Sequence, residues 1–237
     1  MRPDVVLSAR SYVRIFARGL LRVRVRVRVW ARVSVKALAT VLVGLLGAAS
    51  VSADVAAGEA AYGVCGACHG SSGEGNIALN APRLAGQEPW YMRRQLAAYR
   101  AGHRGSASGD MPGMQMRPMA MATADPTKEA NIIEYIQTLT AAPSAITVAG
   151  DPAAGKAGYA VCVACHGANG EGLEALGGPQ LAGQNDWYLV RQIKNYQNDM
   201  RAYDAADTYG QQMKPMAGLL ATDKAINDVV AYINTLR

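Results

Sequence analysis

A gapless internal repeat is the feature that most constrains this chain. Residues 62 to 102, YGVCGACHGSSGEGNIALNAPRLAGQEPWYMRRQLAAYRAG, match residues 159 to 199, YAVCVACHGANGEGLEALGGPQLAGQNDWYLVRQIKNYQND, at a constant shift of 97. The same shift carries Gly58 onto Gly155, Met116 onto Met213, Pro118 onto Pro215, Met119 onto Met216, Tyr135 onto Tyr232 and Leu139 onto Leu236. A match this long is a tandem duplication of a whole domain. The join, TAAPSAITVAGDP at 140 to 152, has the small-residue and proline character of a linker. The expected boundaries are therefore 54–142 for the first domain and 143–237 for the second.

What precedes residue 54 is of another kind. The chain carries 24 Lys+Arg against 18 Asp+Glu, but ten of those bases lie before residue 54 against one acid, Asp4. The remainder holds 24 − 10 = 14 bases and 18 − 1 = 17 acids, a formal charge of −3. The stretch KALATVLVGLLGAASVSAD supplies a basic start, a short apolar run and the small residues Val51-Ser52-Ala53 ahead of Asp54. That is the pattern of a secretory signal peptide over residues 1–53, with an uncleaved N-terminal anchor as the rival reading. The Arg-Val alternation at 22 to 29 exceeds what a leader needs, which places the true start near Val33 or Val35. The mature chain is acidic, and this argues against nucleic acid as a partner.

Each copy reads as helical. One helix runs into the cysteines, a second begins near Trp90 or Trp187, and a third opens at Asp125-Pro126 or Thr222-Asp223 with apolar residues at three- and four-residue spacing. Loops rich in Gly, Pro and Ser lie between them, without the alternation that marks strands. The fold class is all-α, two tandem small domains. The only phenylalanine, Phe16, lies in the leader, so each domain has few large hydrophobes and would be marginal on burial alone.

The chemistry lies in Cys65-Gly66-Ala67-Cys68-His69 and Cys162-Val163-Ala164-Cys165-His166. In C-x-x-C-H, helical spacing puts both thiols on one face, where they add to the vinyl groups of a haem, and sets the histidine beneath the ring as an axial iron ligand. A thioredoxin-type pair would need a βαβ context, and a zinc site more Cys or His than the leftover His103. Structural disulfides would not explain a histidine after the second cysteine in both copies. Two covalently bound haem c groups are expected, each filling the core of its domain.

A His/Met-ligated iron exchanges electrons, whereas an open one binds small molecules. DMPGMQMRPMAMA offers five methionines, but Met111, Met114 and Met121 fall opposite Thr208, Gln211 and Gly218. Only Met116/Met213 and Met119/Met216 occur in both copies.

The two C-x-x-C-H-G motifs, the PRLAGQEPWY and PQLAGQNDWY segments and the M-x-P-M-A segments together resemble the dihaem class I cytochromes c of the cytochrome c4 family. That resemblance covers nearly all of residues 54 to 237. In that family the ligand methionine stands about eight residues ahead of the last helix cap. Met116 and Met213 stand nine ahead of Asp125 and Thr222, and Met119 and Met216 only six. The resemblance thus favours Met116 and Met213, with Met119 and Met216 as alternatives that would otherwise pack at the haem edge. It also implies that the carbonyls of Pro82 and Pro179 accept the free N–H of His69 and His166, and that Gly58 with Tyr135, and Gly155 with Tyr232, let the first and last helices touch. Trp90 and Trp187 are read as packing residues, and His103, opposite Met200, as a surface residue.

The function implied is that of a monomeric, periplasmic electron carrier, either free or membrane-associated. It would dock transiently on membrane respiratory complexes, with a quinol-oxidising complex as donor and a terminal oxidase as acceptor. An alternative is the dihaem subunit of a dehydrogenase, such as a flavocytochrome that oxidises sulfide, which would bring a flavoprotein partner. A dihaem peroxidase would need an open iron and a distal histidine that neither copy offers. N-terminal sequencing of the mature protein should begin at Asp54; a precursor peptide spanning Arg22 to Arg28 would contradict the later start.

Overall fold

Asp54 opens the first helix, α1 (Val55–His69), by accepting from the Ala56 and Ala57 N–H groups. The structure, a computed structural model, describes residues 53 to 236. The expected leader, apart from Ala53, lies outside the described residues. After α1 come α2 (Pro89–Ala101), α3 (Met111–Ala122) and α4 (Pro126–Thr138). The second half repeats the order with α5 (Pro152–Tyr159), α6 (Val163–His166), α7 (Asp186–Gln197), α8 (Thr208–Gly218) and α9 (Asp223–Ile233). Among the described residues no strand forms, and the only pairings of that kind are the isolated bridges Asn76–Ala81 and Leu173–Gly178. Asp125 and Thr222 cap α4 and α9, where the sequence places them.

Two local features depart from the sequence reading. The methionine segments, read as loops, are helical in α3 and α8. Asp110 and Asp207 start these helices by accepting from the Gly113 and Gly210 N–H groups, and the helices run on through Pro118 and Pro215, each of which forgoes one ladder bond. The first helix of the second half is interrupted between α5 and α6. There Gly158 stands where the first half has Ala61, and a Cβ at Gly158 would lie 2.6 Å from Val229 Cγ2. Glycine admits that close approach and weakens the helix.

The first and last helices of each half cross at a glycine. A Cβ on Gly58 would overlap the Asn131 carbonyl and lie 2.9 Å from Tyr135 Cβ; one on Gly155 would overlap the Asp228 carbonyl and lie 3.0 Å from Tyr232 Cβ. Tyr62 then meets Tyr135 at 5.3 Å between ring centroids, and Tyr159 meets Tyr232 at 5.4 Å. Asn131 and Asp228 lock the same crossings by accepting from Asp54 N at 2.8 Å and Asp151 N at 2.9 Å. The buried apolar core of the first half is small, formed by Tyr62, Met92, Ile132, Ile133 and Ile136. A core of that size leaves a domain dependent on some further buried group.

The linker is held rather than free. Arg83 donates to the carbonyls of Ala142, at 2.6 Å, and Ala141, at 3.0 Å. Further on, Asp186 is fully buried and accepts from Thr147 N and Oγ1, both at 2.6 Å, and from Val148 N at 2.9 Å. Burial opposes ionisation of Asp186, but these bonds and one from Trp187 N outweigh it and hold its carboxyl below the ordinary range. Both halves pack into one compact unit.

Gly155→Ala should destabilise the protein by about 1–3 kcal/mol, as overpacking at an immovable backbone does. Denaturant unfolding of the haem-loaded protein measures it; an unchanged midpoint would mean that the crossing is not tight.

Candidate functional site

The last turn of α1, and α6 in the second half, deliver the two motifs. His69 and His166 are only 8% and 7% exposed, while Cys68 and Cys165 reach the surface and Cys65 and Cys162 are half-buried. His69 Nδ1 lies 2.7 Å from the Pro82 carbonyl oxygen, and His166 Nδ1 lies 2.7 Å from that of Pro179. A carbonyl only accepts, so in each ring Nδ1 carries a proton. Burial pulls both imidazoles below their ordinary pKa, against the opposing effect of the proline carbonyl; the Arg94 guanidinium adds to the lowering at His166. Each ring is thus held in one orientation, with burial favouring the neutral form in which Nε2 has a free lone pair.

In the second half His166 lines a cleft of about 160 Å³ that is partly open to solvent. Cys162, Cys165, Leu189, Ile193, Met213 and Met216 line it too. None of the four cysteines is paired with another in a disulfide. An apolar cleft lined by two thiols and a buried imidazole fits a covalently attached metalloporphyrin. Its polar end fits as well. Arg94 and Arg201 line the cleft, and both have buried Nε groups without a hydrogen-bond partner, so the cationic end matches the carboxylates that a haem carries.

Met213 is half-buried against the core of the second half, whereas Met216 is 40% exposed. In the first half Met116 is likewise half-buried and Met119 is 39% exposed. Trp90 and Trp187 are half-buried, each set edge-on to the following tyrosine and covered by a guanidinium, Arg94 at 4.8 Å and Arg191 at 5.3 Å from the ring centroids.

Across the two halves the structure assembles residues that the sequence reading passed over. Arg104 donates to Gln95 Oε1 at 2.6 Å and to Gln192 Oε1 at 3.1 Å, and Arg201 donates to Gln192 Oε1 at 3.0 Å and to Gln95 Oε1 at 3.4 Å. Both arginines are 5% exposed and lie over Tyr99 and Tyr196. His103, read as a surface residue, is half-buried, with Nδ1 2.7 Å from Asp204 Oδ2 of the other half. The available signal was that Gln95 and Arg104 are polar residues repeated unchanged at the 97-residue shift.

The family model for cytochrome c matches the chain twice, over residues 55–140 and 152–237. Cytochrome c4 of Azotobacter vinelandii is 33% identical over 205 residues, covering 82% of this chain and 94% of that protein. The chain belongs to the cytochrome c4 family. The crystal structure of reduced cytochrome c4 from Pseudomonas stutzeri matches the fold with a TM-score of 0.60 at 30% identity, over 78% of this chain and all of that one. A thiosulfate dehydrogenase electron acceptor of Stutzerimonas stutzeri is 31% identical over 165 residues, covering 65% of this chain and 72% of that protein. As a cytochrome c4 family member the chain is a dihaem electron-transfer protein carrying two covalently bound haem c groups, one for each C-x-x-C-H.

Replacing both cysteines of one motif, Cys162→Ser with Cys165→Ser, should leave one covalent haem per chain. Intact mass after acid-acetone extraction of loose haem reads the count directly, and two retained haems would refute the assignment.

Proposed function

We propose that the chain is a periplasmic dihaem electron carrier that receives electrons from a quinol-oxidising complex and delivers them to a terminal oxidase. The observation that carries this reading is the repeated site itself: in each half a buried histidine held by a proline carbonyl, and a half-buried helical methionine at the same place in the repeat. His69 with Met116 and His166 with Met213 would hold the two irons. Met213 is favoured over Met216 by its packing against the core and its lower exposure. Met116 is favoured over Met119 by its lower exposure.

When bound, haem iron supplies the one-electron Fe(III)/Fe(II) couple. The protein's part is to keep the coordination shell unchanged through that couple. The Pro82 and Pro179 carbonyls fix the imidazole planes and raise the basicity of Nε2. The thioether sulfurs, soft and uncharged, favour the reduced state and raise the potential. In the second half the buried Leu189, Ile193, Val229 and Ile233 give the cleft an apolar lining. The leader-like N-terminal sequence supports the periplasm, and the acidic mature chain supports small, transient and salt-sensitive docking on partners at the membrane.

A second reading has a dehydrogenase as the electron donor. It is favoured by the likeness to the thiosulfate dehydrogenase electron acceptor of Stutzerimonas stutzeri.

The ferric protein should show the weak far-red absorption of sulfur-ligated haem iron. Met116→Ala and Met213→Ala should each remove about half of that band, and Met119→Ala and Met216→Ala should leave it intact. The reverse pattern would reassign the ligands.

A further inference from the structure

The peptide group that holds each proximal histidine is also held from its other side. The carbonyl of Pro179 faces His166 Nδ1, and the N–H of the same peptide, on Gln180, donates to Glu88 Oε1 at 2.8 Å. Glu88 belongs to the first half. The counterpart lies 97 residues away: the Pro82 carbonyl faces His69 Nδ1, and the Arg83 N–H donates to Asn185 Oδ1 of the second half at 2.7 Å and, at 3.1 Å, also to the neighbouring neutral amide oxygen, Gln184 Oε1. Each imidazole thus ends a chain of two hydrogen bonds through one planar peptide to a side chain of the opposite half.

These contacts are built into the fold. Glu88 and Asn185 occupy the N-cap positions of α2 and α7, yet neither side chain caps its own helix. Both instead cross the boundary between the halves. Space for them is kept by Gly172 and Gly75, at φ +83 and +87, where a Cβ would collide with Glu88 Oε1 and Asn185 Oδ1 respectively. The other ends are fixed too. Gln87 Nε2 donates to Glu88 Oε2 at 2.6 Å, while Asn185 Nδ2 donates to Ser144 Oγ at 3.2 Å and Glu74 O at 3.3 Å.

The two chains are alike in geometry and differ in charge. On the His166 side the terminal acceptor is a carboxylate; on the His69 side it is a neutral amide. An anion accepting from a peptide N–H pushes electron density through the resonant C–N bond onto the carbonyl oxygen. That oxygen then draws harder on the imidazole N–H, and Nε2 becomes a stronger donor, which favours the ferric iron. The charge acting through space has the same sign of effect.

We propose that Glu88 lowers the redox potential of the haem held in the other half, acting on His166 through the Pro179–Gln180 peptide, and so helps to set the order in which the two haems fill. The proposal makes Glu88 a positioning and tuning residue and rests on the reading of His166 as axial ligand. Arg94, whose guanidinium donates to Gly177 O at 2.6 Å beside the same cleft, acts in the opposite direction and is common to every variant below.

The test is spectroelectrochemical titration of the dihaem protein, with each wave assigned from the paramagnetically shifted resonances of its own haem. Glu88→Gln keeps the acceptor oxygen and removes the charge; it should raise the potential of the second-half haem, leave the first in place and move the His166 Nδ1–H resonance upfield. Asn185→Asp should lower the potential of the first-half haem alone. Unmoved waves, equal shifts of both waves, or a shifted potential with an unmoved His166 Nδ1–H would overturn the proposal. A wild-type protein lacking the low-spin spectrum of a histidine-ligated haem would instead overturn the ligand reading beneath it.

Discussion

The hydrogen bond from a buried imidazole to a proline carbonyl organises each half of this protein. It fixes Nδ1 as the bonded donor and leaves Nε2 turned away from the loop, while burial, and not the bond, favours the neutral ring. It also requires the loop after each motif to return to the helix end, which the Gly75 and Gly172 N–H groups secure by donating to His69 O and His166 O, both at 2.8 Å. The glycine crossings at Gly58 and Gly155 brace the motif-bearing helices from behind. Removing either support would leave the ring free to turn, and a turning ring is a poor ligand for a metal that must not change its shell.

The sparse cores are explained from the same point. The main apolar cluster of the first half has only five buried members, and in a protein that carries a porphyrin the prosthetic group adds to the burial of the fold. The guanidiniums of Arg94 and Arg201, which line the second-half cleft with unpartnered buried Nε groups, fit the same logic: they match the charges that the prosthetic group brings.

Much of this was legible in the sequence, because the repeat multiplies weak signals. C-x-x-C-H twice in register defines the chemistry, and comparing the copies reduces five methionines to two. Helix caps at Asp125 and Thr222 are local side-chain chemistry and were readable as such. The helices α3 and α8 were not, because Pro118 and Pro215 argue against helix and mask the equally local caps that Asp110 and Asp207 supply. The boundary between the halves was hidden for a different reason. Glu88 and Asn185 sit where N-caps belong, and their sequence suggests a local role that their side chains abandon for a partner about a hundred residues away.

The ring formed by Gln95, Arg104, Gln192 and Arg201 is self-complementary: each half presents to the other what it receives. Such an isologous face is what two separate identical chains would use to form a twofold dimer. In a dimer of identical chains, however, any change at one crossing position is copied at the other. Joining the two units in one polypeptide breaks that tie, so that an acid can stand at position 88 and an amide at 185. Covalent fusion thus gives a symmetric scaffold the means to hold two unequal metal centres.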